Sequence, residues 1–377
     1  MHISRATRAW TAALAMALLG VALFASAAQA VPATFWGVVP QATPSEEQFQ
    51  RLRAGGVDSV RIPIDWGSTQ PVRGGVFDWS GTDDVVAEAA TVGIEVLPFL
   101  SGAPAWAVPS AWVPGSGRTV KAPSHLPAAG AAAGAWSSFA KAAVLRYGPR
   151  GTFWAENPAL PRRPVRTWQI WNEANFKYFV TRPNPAEYGR LVKLSYAALK
   201  AADPGAKVLL GGFFGEPAEA RANFKPPRAY FATDFIDQMY KSTPGIKSKF
   251  NGVALHPYTG AYQRLSPQIE AFRRVLSLNK DAGKGLWLTE LSWSSEAPTS
   301  RNDVFAKGPA GQAAQLKGAF SLLKSKQAKW KLRRIYWFSV DDQAGACNFC
   351  NGSGLFRAGF IPKKSWFAYV KFAGGTP

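Results

Sequence analysis

From residue 31 onward the chain alternates short runs rich in β-branched and aromatic residues with longer stretches of helical period. Strands are expected at 35–39, 59–65, 94–100, 167–171, 207–211, 252–256, 286–290 and 334–339. Helices are expected at 45–54, 79–92, 131–147, 185–202, 230–241, 267–282, 309–326 and 366–372. The boundaries carry their own chemistry. Ser45-Glu46-Glu47 reads as an N-cap followed by acidic residues at the positive end of a helix. Gly148-Pro149 stops the third helix, and Pro185 suits a first helical turn because its missing N–H is not needed there. Eight strands, each followed by a helix, predict an α/β fold of the closed (β/α)8 TIM-barrel type in a single domain. An open doubly wound sheet would favour a glycine-rich phosphate turn after its first strand; here that stretch reads Gly37-Val-Val-Pro-Gln41.

In such a barrel the working residues sit at the C-terminal ends of the strands, on one face. By that rule Arg61, Asp65, Asn172, Glu173, His256, Tyr258, Glu290 and Trp337 gather at one mouth. The longest strand-to-helix connections, at 101–130, 213–229, 292–308 and 341–365, are expected to form its walls.

Residues 1–30 read as a signal peptide outside the fold. Arg5 and Arg8 form a basic start, residues 11–28 are apolar and alanine-rich, and Ala28-Gln29-Ala30 is a small-x-small cleavage site. The catalytic domain is therefore expected to span 31–377, in a secreted protein with no membrane span after leader removal. The formal net charge is +20, to which the leader contributes only its two arginines. That balance favours an acidic or cell-wall glycan through long-range attraction. The basic residues are dispersed, without an aromatic-interleaved nucleic-acid motif, so no nucleic-acid partner is expected. The two cysteines, Cys347 and Cys350, are read behind a leader as a local disulfide clip rather than a redox or metal half-site.

The chemistry lies in two carboxylates at the ends of apolar, strand-like runs: Glu173 in Thr167-Trp-Gln-Ile-Trp-Asn-Glu-Ala-Asn175, and Glu290 in Gly285-Leu-Trp-Leu-Thr-Glu-Leu-Ser-Trp293. Burying an unpaired carboxylate is costly, so such a pattern makes poor packing. It makes good sense where two carboxylates share the work of glycoside hydrolysis. Asn172-Glu173 ending a fourth strand, His256-Pro257-Tyr258 ending a sixth, Glu290 ending a seventh and Trp337 on an eighth together resemble the clan of retaining (β/α)8 glycoside hydrolases. That clan includes the family 5 cellulase-like and family 39 β-xylosidase-like enzymes. Family 5 members commonly carry a histidine after the third strand, where this chain reads Ser101-Gly-Ala-Pro-Ala-Trp106, so the resemblance leans toward family 39.

The resemblance implies that Glu173 is the general acid/base and Glu290 the nucleophile of a double displacement, with no metal or organic cofactor. It further implies that Asn172 binds the sugar 2-hydroxyl, that Tyr258 donates to Glu290, and that Trp337 forms the subsite floor, often beside a cis bond to Phe338. Arg61 either supports Glu290 or pairs with Asp65; His256 is either a substrate ligand or a satisfied core histidine. Trp106 is the second expected sugar platform. The expected activity is that of a secreted retaining glycosidase on a polysaccharide or oligosaccharide. The competing readings are a transglycosylase using the same pair and a barrel that binds wall glycan without cleaving it.

Overall fold

The structure is a computed structural model that describes residues 31–107, 125–216, 224–299, 304–343 and 350–377. It divides into two units, Met1–Pro32 and Ala33–Pro377, and the second contains the whole barrel. Eight strands close in sequence order: β1 Trp36–Val39, β2 Ser59–Asp65, β3 Glu95–Ser101, β4 Thr167–Asn172, β5 Lys207–Phe214, β6 Gly252–His256, β7 Gly285–Leu291 and β8 Leu332–Phe338. All neighbours pair in parallel, and β1 closes on β8 with Val38 opposite Trp337. The main helices are α1 Glu46–Ala54, α2 Ser80–Val92, α3 Gly130–Tyr147, α4 Pro185–Ala202, α5 Ala232–Ser242, α6 Leu265–Leu278, α7 Gly308–Ser325 and α8 Lys364–Ala373. Shorter turns decorate the connections, and a two-stranded antiparallel pair, Phe356–Arg357 with Ile361–Pro362, precedes α8. The expected TIM barrel is the observed fold.

Local sequence explains the helix ends. Ser45 and Gln48 form a reciprocal capping box on α1, and Asn184 accepts from the Ala186 and Glu187 amides at the start of α4. A cap contributes about 1 kcal/mol, whereas burying Phe49 and Leu52 of α1 contributes about 2 kcal/mol each. Packing onto the barrel, more than capping, holds these helices in place.

The interior of the barrel is a separate core. Val39, Leu97, Leu209, Ala254, Tyr336 and Phe338 cluster there, with Trp287 packed against them. On β8 the alternation is clear: Tyr336 and Phe338 point inward, while Trp337 packs outward against Phe320 of α7 and against Trp293. Among the described residues no helix is long and apolar enough to cross a membrane. Parts of all four expected wall loops, and with them Cys347 and Trp112, lie outside the described residues.

Candidate active site

Two strand irregularities build the mouth. In β4 a regular pleat would place Gln169, Trp171 and Glu173 on the inner face and Asn172 outside. Instead Trp171 and Glu173 adopt positive φ, 67° and 42°. Trp171 turns outward against Trp136 of α3, its indole donating to the Phe179 carbonyl. Asn172 and Glu173 then both reach the interior. Left-handed backbone costs a bulky residue on the order of 1–3 kcal/mol, and such strain concentrates at functional sites. On β7 the register moves from Leu288↔Ile335 to Leu291↔Trp337, so two residues, Thr289 and Glu290, oppose one on β8. This bulge keeps both side chains inside, where simple alternation would expel one.

The two glutamates and His256 meet in the same place. One ligand-type atom from each of Glu173, His256 and Glu290 lies within 4.8 Å of the others. Glu173 is 5% exposed and Glu290 9%. Glu290 is held by donors: Arg61 Nη1 reaches Oε1 at 2.8 Å and Tyr258 Oη donates to Oε2 at 2.9 Å. Arg61 also donates to Gln169 Oε1 at 2.8 Å and Asn172 Oδ1 at 2.6 Å, and its guanidinium lies 4.1 Å from the centre of the Phe99 ring. Asp65 does not pair with Arg61. Its side chain caps the short turn Trp66–Thr69 by accepting from the Ser68 amide.

Glu173 has a different environment. Its Oε1 lies 2.7 Å from Nδ1 of His256, whose Nε2 lies 2.9 Å from Thr289 Oγ1. Burial and the adjacent Glu290 charge push the Glu173 carboxyl well above the usual carboxylate range, against the pull of Arg61. Burial raises Glu290 too, but Arg61 and Tyr258 oppose it directly through charge and hydrogen bonds. His256 is pushed well below its ordinary value by burial and by Arg61, so the ring is neutral. Two like carboxylates this close cannot both ionise readily, and the donors decide which one does. These donors favour the charge on Glu290 over Glu173.

Several expected contacts move. His256 is fully buried, with both ring nitrogens engaged by protein groups, so it does not line a sugar site. Arg61 is likewise buried and committed to protein partners. Trp337 is not a platform: it is fully buried on the helix side of β8, its indole donating to the Ser353 carbonyl. The cis bond lies one residue later than expected, between Phe338 and Ser339. Phe338 is the inward aromatic at that strand end, 8% exposed and edge-on to Tyr258 at 6.5 Å. Its inward parity with Tyr336 was available in the β8 pattern. Trp106 is half-buried on the rim, edge-on to Trp66 at 5.3 Å and tied through its indole to the Gln70 carbonyl. Beside the mouth, a groove of about 410 Å³ is lined by polar groups including Gln41, Thr43, Asp65, Ser68 and Asp78.

The Glu173, His256 and Glu290 atoms are close enough to ligate a metal ion, a grouping that sequence spacing did not reveal. The fit is poor. The Arg61 guanidinium, 2.8 Å from Glu290, already supplies the positive charge and would repel a second cation.

No protein-family model matches this chain. No curated protein matches it. Solved structures do. A family 39 glycoside hydrolase from the gut symbiont Bacteroides cellulosilyticus superposes with a TM-score of 0.64 at 19% identity, covering 90% of this chain and 63% of that one. The likeness is in the closed barrel fold. A family 39 β-xylosidase from Caulobacter crescentus gives 0.60 at 20% identity, covering 91% of this chain and 72% of the enzyme. A family 10 xylanase from Thermobacillus composti gives 0.57 at 18% identity, covering 90% and 97%. At these identities the likeness is one of fold, and this chain spans less than two thirds of the Bacteroides enzyme.

Proposed function

We propose that the protein is a secreted retaining glycoside hydrolase that cleaves O-glycosidic bonds of a polysaccharide or oligosaccharide by double displacement. The observation that carries this reading is the pair itself: Glu173 and Glu290 oxygens within 4.8 Å of each other in one barrel mouth, in opposite electrostatic settings. Retaining enzymes hold their carboxyls about 5–5.5 Å apart, and inverting ones about 6.5–9.5 Å apart to admit a water. Glu290, ionised by Arg61 and Tyr258, attacks the anomeric carbon. Glu173 delivers its proton to the leaving oxygen. It then takes a proton from the water that releases the sugar from Glu290. Asn172 offers its amide to the sugar 2-hydroxyl, since its Oδ1 is already turned to Arg61. Phe338 replaces Trp337 as the floor of the subsite, and Trp106 lies on the rim as a further platform.

The leader at 1–30 supports secretion, and the net charge of +20 supports an acidic or wall-associated glycan. Such a compartment suits a Cys347–Cys350 clip, and Cys350 is not a free thiol. The neighbours' names add xylan and xylo-oligosaccharides to the candidate substrates.

The test is sugar release by the mature protein from neutral and acidic polysaccharides, xylan among them, beside a Glu290→Gln control. Release by the wild type that the control lacks, with the product's anomeric configuration retained, is the expected result. Release surviving in Glu290→Gln removes Glu290 as nucleophile. Retention on one polymer without release by either protein favours the binding barrel.

A further inference from the structure

We propose that Thr289 holds His256 in the tautomer protonated on Nδ1, so that Glu173 carries its catalytic proton on the oxygen facing the cleft. The proposal rests on the reading of Glu173 as the acid. Among the described residues, His256 is the one that bonds the Glu173 side chain, at 2.7 Å to Oε1. If the ring carried its proton on Nε2, Nδ1 would be a bare acceptor. Glu173 could then satisfy it only by placing its own proton on Oε1, buried against the ring and turned away from a leaving group. With the proton on Nδ1, Oε1 accepts from the ring in both halves of the reaction. The titrating proton then sits on Oε2 throughout, and His256 never changes charge.

Two observations favour this tautomer, and a third explains how the ring fits. Both carboxyl groups flank Nδ1, Glu173 Oε1 at 2.7 Å as an acceptor and Glu290 Oε2 at 3.5 Å as a nearby charge, and both favour a ring N–H there. Thr289 Oγ1, 2.9 Å from Nε2, has a hydroxyl proton to donate to the bare nitrogen. Gly212 on β5 leaves open the space in which the ring sits: a Cβ there would stand 1.8 Å from Nε2 and 2.5 Å from Cδ2. The other charged or titratable groups facing the ring are Arg61 from β2, which disfavours a cationic imidazole, and Tyr258, edge-on at 6.4 Å. Thr289 is thus a positioning residue that acts on Glu173 through His256, in a space that Gly212 leaves open.

The first test needs no substrate. The chain contains three histidines, so ¹⁵N-histidine labelling gives few imidazole signals, and a His256→Gln sample identifies the relevant one. The expected spectrum has a protonated Nδ1 and an unprotonated Nε2 for His256, with a mixture of tautomers in Thr289→Val and the wild-type pattern restored in Thr289→Ser. A wild-type ring protonated on Nε2 overturns the proposal. The second test compares two glycosides of the same sugar, one with an alkyl leaving group that needs acid help and a 2,4-dinitrophenyl glycoside that does not. General acid catalysis is worth about 10²–10⁴-fold, and blurring its orientation in Thr289→Val is expected to cost about 10-fold in kcat on the alkyl glycoside. The basic limb of the pH profile should move to higher pH, with the dinitrophenyl glycoside barely affected and Thr289→Ser close to wild type. An equal loss on both glycosides overturns the proposal in favour of a purely structural threonine. Wild-type protein inert on every glycoside while the ¹⁵N pattern stands as expected would instead overturn the hydrolase reading on which Glu173's role depends.

Discussion

The ends of β4 and β7 present the same side chain and treat it in opposite ways. Glu290 emerges from a bulge into two donors, a buried guanidinium at 2.8 Å and a phenol at 2.9 Å. Glu173 emerges from a strained, positive-φ turn onto one neutral imidazole. Both are buried to a similar degree, so burial does not distinguish them; the charge of the neighbours does. In the proposed mechanism, one residue type thus serves as both acid and nucleophile, divided by its neighbours rather than by its own kind. The same contrast locates strain and stabilisation at different strand ends.

The sharpest way to break this comparison is to remove the acid alone. Glu173→Ala is expected to lower kcat/KM on an unactivated glycoside about 10³-fold, while the first step with a dinitrophenyl leaving group survives. Added azide should then restore turnover with retained configuration, which chromatography of the glycosyl azide would establish. If both glycosides fall together, Glu173 is not the acid.

A smaller effect is expected from the other side of the pair. Tyr258→Phe removes one donor from Glu290, and a hydrogen bond to a charged group is worth about 1.5–3 kcal/mol. A loss of about 10-fold or somewhat more in kcat/KM should follow. The Glu290 carboxyl should also rise, carrying the acid limb of the pH–rate profile to higher pH and leaving the basic limb in place. Movement of the basic limb instead would mean that Tyr258 serves Glu173.

The smallest effect is on stability. The Glu173 carboxyl is raised in the folded protein above its unfolded value. The folded state therefore holds that proton more tightly, and the associated stability is present at low pH and lost as pH rises through the raised value. Glu173→Gln removes the penalty of ionising a buried carboxylate. Its Tm should match the wild type near pH 4 and exceed it by about 2 °C at pH 8, as calorimetry at several pH values would measure. A constant difference across that range would show that Glu173 titrates normally.

The barrel itself was legible in the chain because every strand is short and followed by a helix, and two of those helices open with caps at Ser45 and Asn184. The β2 and β6 spans agree with expectation to the residue, β5 runs three residues longer at its end, and β8 begins two residues earlier and ends one earlier. The site was legible in part. Glu173 and Glu290 stood out as charges that packing alone does not explain, and Arg61 as a charge inside a strand. The direction of each side chain was harder. Trp337 was chosen as the platform for its residue type, yet the pleat of β8 turns it outward and presents Phe338.

By itself, then, the sequence determined the order of elements, the fold class and the two carboxylates, because periodicity, caps and misplaced charges are properties of neighbouring residues. Tertiary structure alone decided which side chains face inward at the β4 and β7 ends, since a positive φ and a one-residue bulge cancel the alternation from which facing is read. It alone decided the partners as well. Arg61 meets Glu290 rather than nearby Asp65, and His256 meets Glu173 and Thr289, because a closed barrel makes neighbours of strands that are distant in the chain, and the roles of the two glutamates follow from those neighbours.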